Sequence, residues 1–304
     1  MRYLYLIILP ALLTLFSCEE IIDIDIPLEQ NVPIIEGLIS TQENESYFKL
    51  KYAYNFYEDE DSVPFIKDAQ IVVKEVHQGR IQEYPFVWDE DLERYIIDYE
   101  GTFTGKVGAE YQMYILWQGK EYIARDKMPT NDVKVTLRTE VNQHRLNALI
   151  NFQGSGFGDG RIYDLFVNFN EPADERNYYQ IHFPTSANGV KTSIIYLYDD
   201  QLFSSSLKDF QAPQTYTPNS RATIDVYSYS EETFAFFKDV QGGINNPGGL
   251  FSAIPSNPQT NIQSNSETLG YFLVANVVSE SIVAEADSVT LELYNQAIEG
   301  YETP

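Results

Sequence analysis

From residue 32 onward the chain consists of short β-branched and aromatic runs separated by Gly, Pro, Asn and Asp. That punctuation restricts it to a mainly β fold. Runs at 32–40, 47–54, 69–77, 94–99, 110–118 and 121–125 read as strands. In 110–118, Tyr111, Met113 and Ile115 alternate with Gln112, Tyr114 and Leu116, the two-residue period of a strand with one more apolar face. Trp117-Gln118-Gly119-Lys120-Glu121 reads as a hairpin turn. Short antiparallel strands over about 100 residues predict an immunoglobulin-like β-sandwich at 31–129, without the cysteine pair of antibody domains. The polar stretch Lys127-Met128-Pro129-Thr130-Asn131-Asp132 is the expected junction to a C-terminal β-rich domain at 130–304. There, 133–141, 145–152, 161–169, 177–183, 193–198, 268–278 and 288–294 read as strands. The stretch 203–221 is less regular, with Pro213 and Pro218, and 245–263 reads as a long loop. One short helix is expected at 231–240, capped by Ser230, favoured by Glu231 and Glu232 and ended by Gly242-Gly243. Phe234, Phe237 and Val240 form its packing stripe, with Phe236 off it.

The first 17 residues have the layout of a signal peptide: Arg2, then an apolar run to Phe16, too short for a transmembrane helix of roughly 20 residues. Leu15-Phe16-Ser17-Cys18 resembles a bacterial lipobox, with Phe16 the less usual member. The resemblance implies cleavage before Cys18 and its lipidation. Residues 18–30 are then a lipidated cysteine and an acidic tether, in which Glu19 and Glu20 resemble a surface-export signal. Acyl chains contribute about 0.8 kcal/mol per buried methylene, so a multiply acylated Cys18 is a durable membrane anchor.

Charge and inventory exclude several functions. Lys and Arg number 20 against 45 Asp and Glu, a net charge of −25. Nothing in that balance neutralises phosphates, so no nucleic-acid partner is expected. A lone Cys removes internal disulfides and cysteine-based zinc sites. His77, His144 and His182 stand apart in sequence, and no Gly-x-Ser-x-Gly or His-Glu-x-x-His motif occurs. The chain reads as non-enzymatic, with no cofactor and no metal. The glycine-rich stretch 154–160 lacks a Walker lysine and precedes a strand, so it reads as a loop and not a phosphate cradle. The acidic groups Glu58-Asp59-Glu60-Asp61, Asp89-Glu90-Asp91 and Asp199-Asp200 match no EF-hand and read as solvated loops.

Tyrosine is plentiful, at 23 residues. Sandwich filling and strand propensity account for most of it. Tyr196, Tyr198, Asp199, Asp200 and Tyr216 form a candidate ligand or partner surface, because tyrosine offers apolar area and a polar tip beside the acids. Asp61-Ser62-Val63 and Asp287-Ser288-Val289 resemble a short O-glycosylation acceptor, making Ser62 and Ser288 candidates.

Taken in order, several segments resemble the Bacteroidota outer-membrane surface-lipoprotein family filed as domain of unknown function 4249. They are the lipobox with Glu19-Glu20 and the alternating stretch 21–26, Ile34-Ile35-Glu36-Gly37-Leu38-Ile39, Asp68-Ala69-Gln70-Ile71-Val72-Val73, and Gly108-Ala109-Glu110-Tyr111-Gln112-Met113-Tyr114-Ile115. The stretch 166–172 with Asn177-Tyr178-Tyr179, in which Glu171 stands where Asp is usual, Asn245-Asn246-Pro247, Asn261-Ile262 and Leu269-Gly270-Tyr271-Phe272 complete the series. The resemblance implies a lipid-anchored outer-membrane protein at the cell surface, partnered with a TonB-dependent transporter or another β-barrel. It brings no catalytic residues. The expected role is a non-catalytic binding or accessory subunit; a purely structural subunit is the alternative, and a surface hydrolase the less favoured third.

Overall fold

A computed structural model describes residues 32–54, 63–151, 160–170, 172, 176–187, 190–200, 206–244 and 257–302. In order these form β1 (Pro33–Ser40), β2 (Tyr47–Tyr52), β3 (Gln70–His77), β4 (Arg80–Asp89), β5 (Arg94–Ile97), β6 (Glu110–Trp117), β7 (Lys120–Lys127) and β8 (Lys134–Val141). Helix α1 (Gln143–Asn151) precedes β9 (Tyr163–Asn170), β10 (Tyr178–Ala187), β11 (Val190–Asp199), β12 (Ser206–Tyr216) and β13 (Arg221–Tyr229). Helix α2 (Glu231–Ile244), β14 (Gln263–Ser264), β15 (Leu269–Val283) and α3 (Ser288–Glu302) follow. One sheet has 12 strands in the order β11-β10-β13-β15-β1-β2-β5-β4-β3-β6-β7-β14, and a second has three in the order β12-β9-β8. The fold is mainly β, in sandwich-like layers.

Half of the long sheet curls over on itself. Tyr52 of β2 meets Trp117 of β6 edge-on at 5.7 Å, although β5, β4 and β3 lie between those strands. The enclosed core contains Ile35, Phe48, Leu50, Ile71, Val73, Tyr95, Tyr111, Met113 and Trp117. They come from alternate positions, as the two-residue period demands. The buried tyrosines are tied at their hydroxyls. Tyr95 donates to the Ile66 carbonyl at 2.9 Å and accepts from Ala69 N–H at 3.0 Å. Tyr111 donates to buried Glu75 at 2.8 Å, and Glu75 also holds Lys106.

The two halves share β15. Its first part pairs in parallel with β1, from Ile34 opposite Leu269 to Ser40 opposite Ala275. Its second part pairs antiparallel with β13, from Ser228 opposite Asn276 to Arg221 opposite Val283. Phe272 and Val274 therefore belong to the first core, across the junction expected at 129/130. Close approach here needs two glycines. A Cβ on Gly270, whose φ is +96°, would strike the Ile35 backbone, and one on Gly37 would strike the Phe48 ring. With Gly37 bare, Phe48 and Phe272 stack at 5.9 Å. At the switch of partners, buried Asn131 donates to Tyr179 OH (3.1 Å) and Ser228 Oγ (3.0 Å), and its carbonyl accepts from Asn276 Nδ2 (3.0 Å).

Beyond the switch, the three-stranded sheet packs on β10, β11, β13 and the end of β15. Its core includes Val135, Leu165, Val167, Phe169, Tyr179, Ile181, Phe183 and Val226. Helices α1 and α3 make a smaller layer around Leu146, Leu149, Ile162, Tyr163 and Ala297. Helix α2 lies on the opposite face of the long sheet. Phe234 meets Tyr178 at 5.1 Å, Phe237 meets Tyr229 at 5.2 Å, and Phe236, expected off the stripe, stacks on Tyr271 at 4.2 Å. Ser230 caps the helix through Thr233 N–H, as its sequence suggests. Asp126 of β7 clasps it to the sheet, accepting from Thr233 Oγ1 (2.9 Å) and from Val274 N–H of β15 (3.2 Å). Burial pushes the Asp126 carboxyl up to about 6, against the opposing pull of these donors.

Several expectations change. Residues 145–152, read as a strand, lie mostly in α1: Leu146, Leu149 and Ile150 recur at helical spacing, and Asn142 Oδ1 caps Arg145 N–H at 3.1 Å. Residues 288–294, also read as a strand, begin α3, where Asp287 accepts from Thr290 N–H at 2.8 Å as an N-cap. The described chain thus has three helices, not one, and α2 continues through Gly242-Gly243 to Ile244. Finally, 206–216 of the irregular stretch form β12, whose register breaks twice against β9. Strands β4 and β13 lay outside the expected set.

Two outcomes follow from the shared strand and its clasp. Gly270→Ala should lower stability by about 2–4 kcal/mol through backbone collision and forced positive φ. Gly79→Ala, at a turn with open space around it, should cost about 1 kcal/mol; urea unfolding of both variants measures the difference. The raised Asp126 value means that the native state holds its proton longer than the unfolded chain. Asp126's contribution should therefore be full below pH 4 and decline as pH rises to about 6, by at most roughly 1.4 kcal/mol per pH unit. Asp126→Asn should flatten stability over that window relative to the parent protein.

Candidate binding surface

The β10–β11 hairpin brings three apolar residues to a flank. Strand β11 ends the long sheet, and β12 ends the short sheet on the same side of the second core. Successive side chains alternate between faces, so Ile194, Tyr196 and Tyr198 point toward the short sheet, and Ile195 points away from it. Tyr196 packs edge-on against Phe183 (6.1 Å) and Phe210 of β12 (5.9 Å), yet remains 41% exposed. Ile194 and Ile195 are 37% and 43% exposed. An apolar seam therefore opens between the two edge strands.

The sequence candidates have different places. Tyr196 lies in the seam. Tyr198 is buried against Phe169 (5.8 Å) and Tyr179 (6.0 Å). Asp199 accepts from Arg176 at 3.1 Å, and Arg176 also reaches Glu231 at 3.4 Å and lies over the Tyr178 ring. Asp200 accepts from Asn177 N–H at 2.8 Å. These two acids brace the entry to β10 and the start of α2. Tyr216 is six residues beyond Phe210 on β12, paired with Tyr163 and hydrogen-bonded by Gln214. The structure does not bring it to Tyr196. Ile194, Ile195, Phe183 and Phe210 were missed; the unbroken apolar run Ile194-Ile195-Tyr196-Leu197-Tyr198, which lacks strict alternation, was the available signal.

On the other face of the hairpin, His182 is opposite Ile195 and its ring lies 4.5 Å from Tyr227. Burial holds its imidazole below the ordinary value of 6.5, partly offset by Asp225. Its Nε2 finds no hydrogen-bond partner among the described residues. His77 lines a separate recess of about 340 Å³ with Glu75, Arg80 and Lys106. Asp89 accepts from Asp91 and Leu92 N–H, both at 2.9 Å, and so shapes the β4–β5 turn. Ser288 is exposed at the start of α3. Cys18, Glu19, Glu20, Ser62, Glu58 to Asp61 and most of the glycine-rich stretch lie outside the described residues. Among the described residues no helix is long and apolar enough to cross a membrane, and no three His, Cys, Asp or Glu side chains converge on a metal position.

Burial separates Tyr198 from Tyr196. Tyr198→Ala should cost about 3–5 kcal/mol of stability. Tyr196→Ala, with its ring half in solvent, should cost about 1 kcal/mol, and thermal unfolding of the pair tests this ordering.

No curated protein matches the chain. A family model described as a domain of unknown function, DUF4249, matches residues 19–281, a span that includes every strand described above except the last two residues of β15. The chain belongs to that family.

Proposed function

We propose that the protein is a non-catalytic binding subunit, held to the outer membrane through Cys18 and partnered at the cell surface with a TonB-dependent transporter or a similar β-barrel. The observation that carries this reading is the exposed Ile194–Tyr196–Phe210 seam and its position relative to the N-terminus. The chain enters the fold at β1, next to the start of β15. The seam belongs to strands that pair beyond the end of β1: Ile195 is opposite His182, His182 opposite Asp225, and Asp225 opposite Ser279. Ser279 is ten residues past Leu269, about 33 Å along the strand. An anchor preceding β1 and a recognition flank on the far half suit a tethered subunit.

Tethering confines such a subunit to the plane of its partner, which raises effective concentration without new contacts. The net charge of −25 speeds encounter with basic loops or ligands. Capture of ligand, or cover of the barrel mouth, then follows from binding alone.

Gentle detergent extraction of the tagged full chain, followed by mass spectrometry, tests the reading. The expected result is co-purification of an outer-membrane barrel, with Cys18→Ala moving the chain to the soluble fraction. Ile194→Lys combined with Tyr196→Lys should cut barrel recovery about tenfold while leaving the chain membrane-bound. Recovery of the free chain alone from the parent strain would contradict the proposal.

A further inference from the structure

Each sheet end in a β protein is a row of backbone donors and acceptors that can accept another strand, and proteins guard these ends by shortness, bulges, proline or charge. Among the described residues there are four such ends. Strand β14 has two residues. Strand β8 exposes Lys134 and Glu140, with Arg138 bridging Glu140 and Asp209. Strand β12 breaks register twice, carries Pro213 and turns Asp209 to a φ of +49°. Strand β11 carries charge only near its ends, at Lys191 and Asp199, and its central stretch has none of these guards. It pairs with β10 over ten consecutive positions without a shift, and residues 193–198 contain no charge and no proline. Its exposed Ile194, Ile195 and Tyr196 offer apolar contact on both faces.

We propose that the β11 edge is a strand-addition site for an extended segment of a partner protein, with apolar residues at alternate positions and lysine or arginine between or beside them. This deepens the binding role proposed above and rests on it. Residues 193–198 span about 20 Å, enough for a segment of about six residues. Main-chain hydrogen bonds supply affinity, and the seam between Tyr196 and Phe210 reads every second side chain. The charge of the partner follows from the surroundings. Asp199, Asp200, Asp209, Asp225 and Glu231 border the hairpin and the flank, against Arg138, Arg176, Lys191 and Lys208, in a chain whose net charge is −25. A second copy would bring the same acids together, each copy carrying −25, so a basic segment of another chain is the fitting occupant.

The test uses the full chain in detergent and a fluorescent nonapeptide alternating valine with lysine and threonine. Two controls replace its central valine with proline, or its lysines with glutamate. The expected result is binding of the lysine peptide, at least about tenfold weaker binding of both controls, and slowed amide exchange at 193–197 with β12 unchanged. Ile195→Lys should weaken peptide binding about tenfold with the melting temperature retained. Equal binding of the three peptides, no exchange change at β11, or β11 amides in the free chain as slow as those of β13 would overturn the proposal. A dimer in sedimentation that Ile195→Lys dissolves would also overturn it, assigning the edge to a second copy. A barrel recovered equally with the parent and with Ile195→Lys, while the peptide fails to bind, removes strand addition and leaves the binding role. Peptide binding without any recovered barrel removes the barrel and leaves the edge site.

Discussion

The fold depends on one strand having two partners. Strand β15 lies parallel to β1 in its first part and antiparallel to β13 in its second, so the curled first half and the layered second half share a single backbone. A parallel neighbour nearly the whole chain away in sequence cannot be made by a hairpin, and pairing over such a separation is intrinsically slow. Gly37 and Gly270 are the sequence expression of that pairing. Both occupy segments that resemble the family pattern, and both are places where a Cβ would strike a neighbour.

Polar groups inside the molecule concentrate where elements meet. Asn131 joins Tyr179, Ser228 and Asn276 at the point where β15 changes partner, and Asp126 ties β7 to α2 and β15. Glu75 fixes Tyr111 and Lys106 at the end of the first core. Such groups specify one arrangement, because each loses its partners in any other. Apolar packing supplies the driving force; these clasps define the angle between layers.

Much of the strand pattern was legible in the residues. The two-residue alternation of 110–118 reappears as β6 with alternate burial, and the run at 69–77 forms β3. The failures have physical causes. Leu146-Asn147-Ala148-Leu149-Ile150 is short and apolar, so strand and helix fit it equally until the Asn142 cap is seen in place. Residues 206–216 are bulged and contain Pro213, features that weaken a strand signal and mark an edge. The tyrosine-acid candidates occupy different places in the fold. Sequence shows that Tyr196 and Tyr198 share a face, but depth comes from the short sheet, which covers Tyr198 and leaves Tyr196 in the seam. Asp199 and Asp200 looked like ligand acids and brace Arg176 and Asn177. No local pattern announces that β15 crosses from one half to the other, because pairing over such a separation leaves no periodic trace.

A shared strand makes a mechanical claim: neither half should unfold without the other. Pulsed amide exchange across a urea series reads both halves at once, through β3 and β6 on one side and β9 and β10 on the other. A shared backbone through β15 predicts that all four lose protection at the same urea concentration. Loss of protection in β9 and β10 at a clearly different concentration from β3 and β6 would show two independent units, and would contradict the central role given to β15.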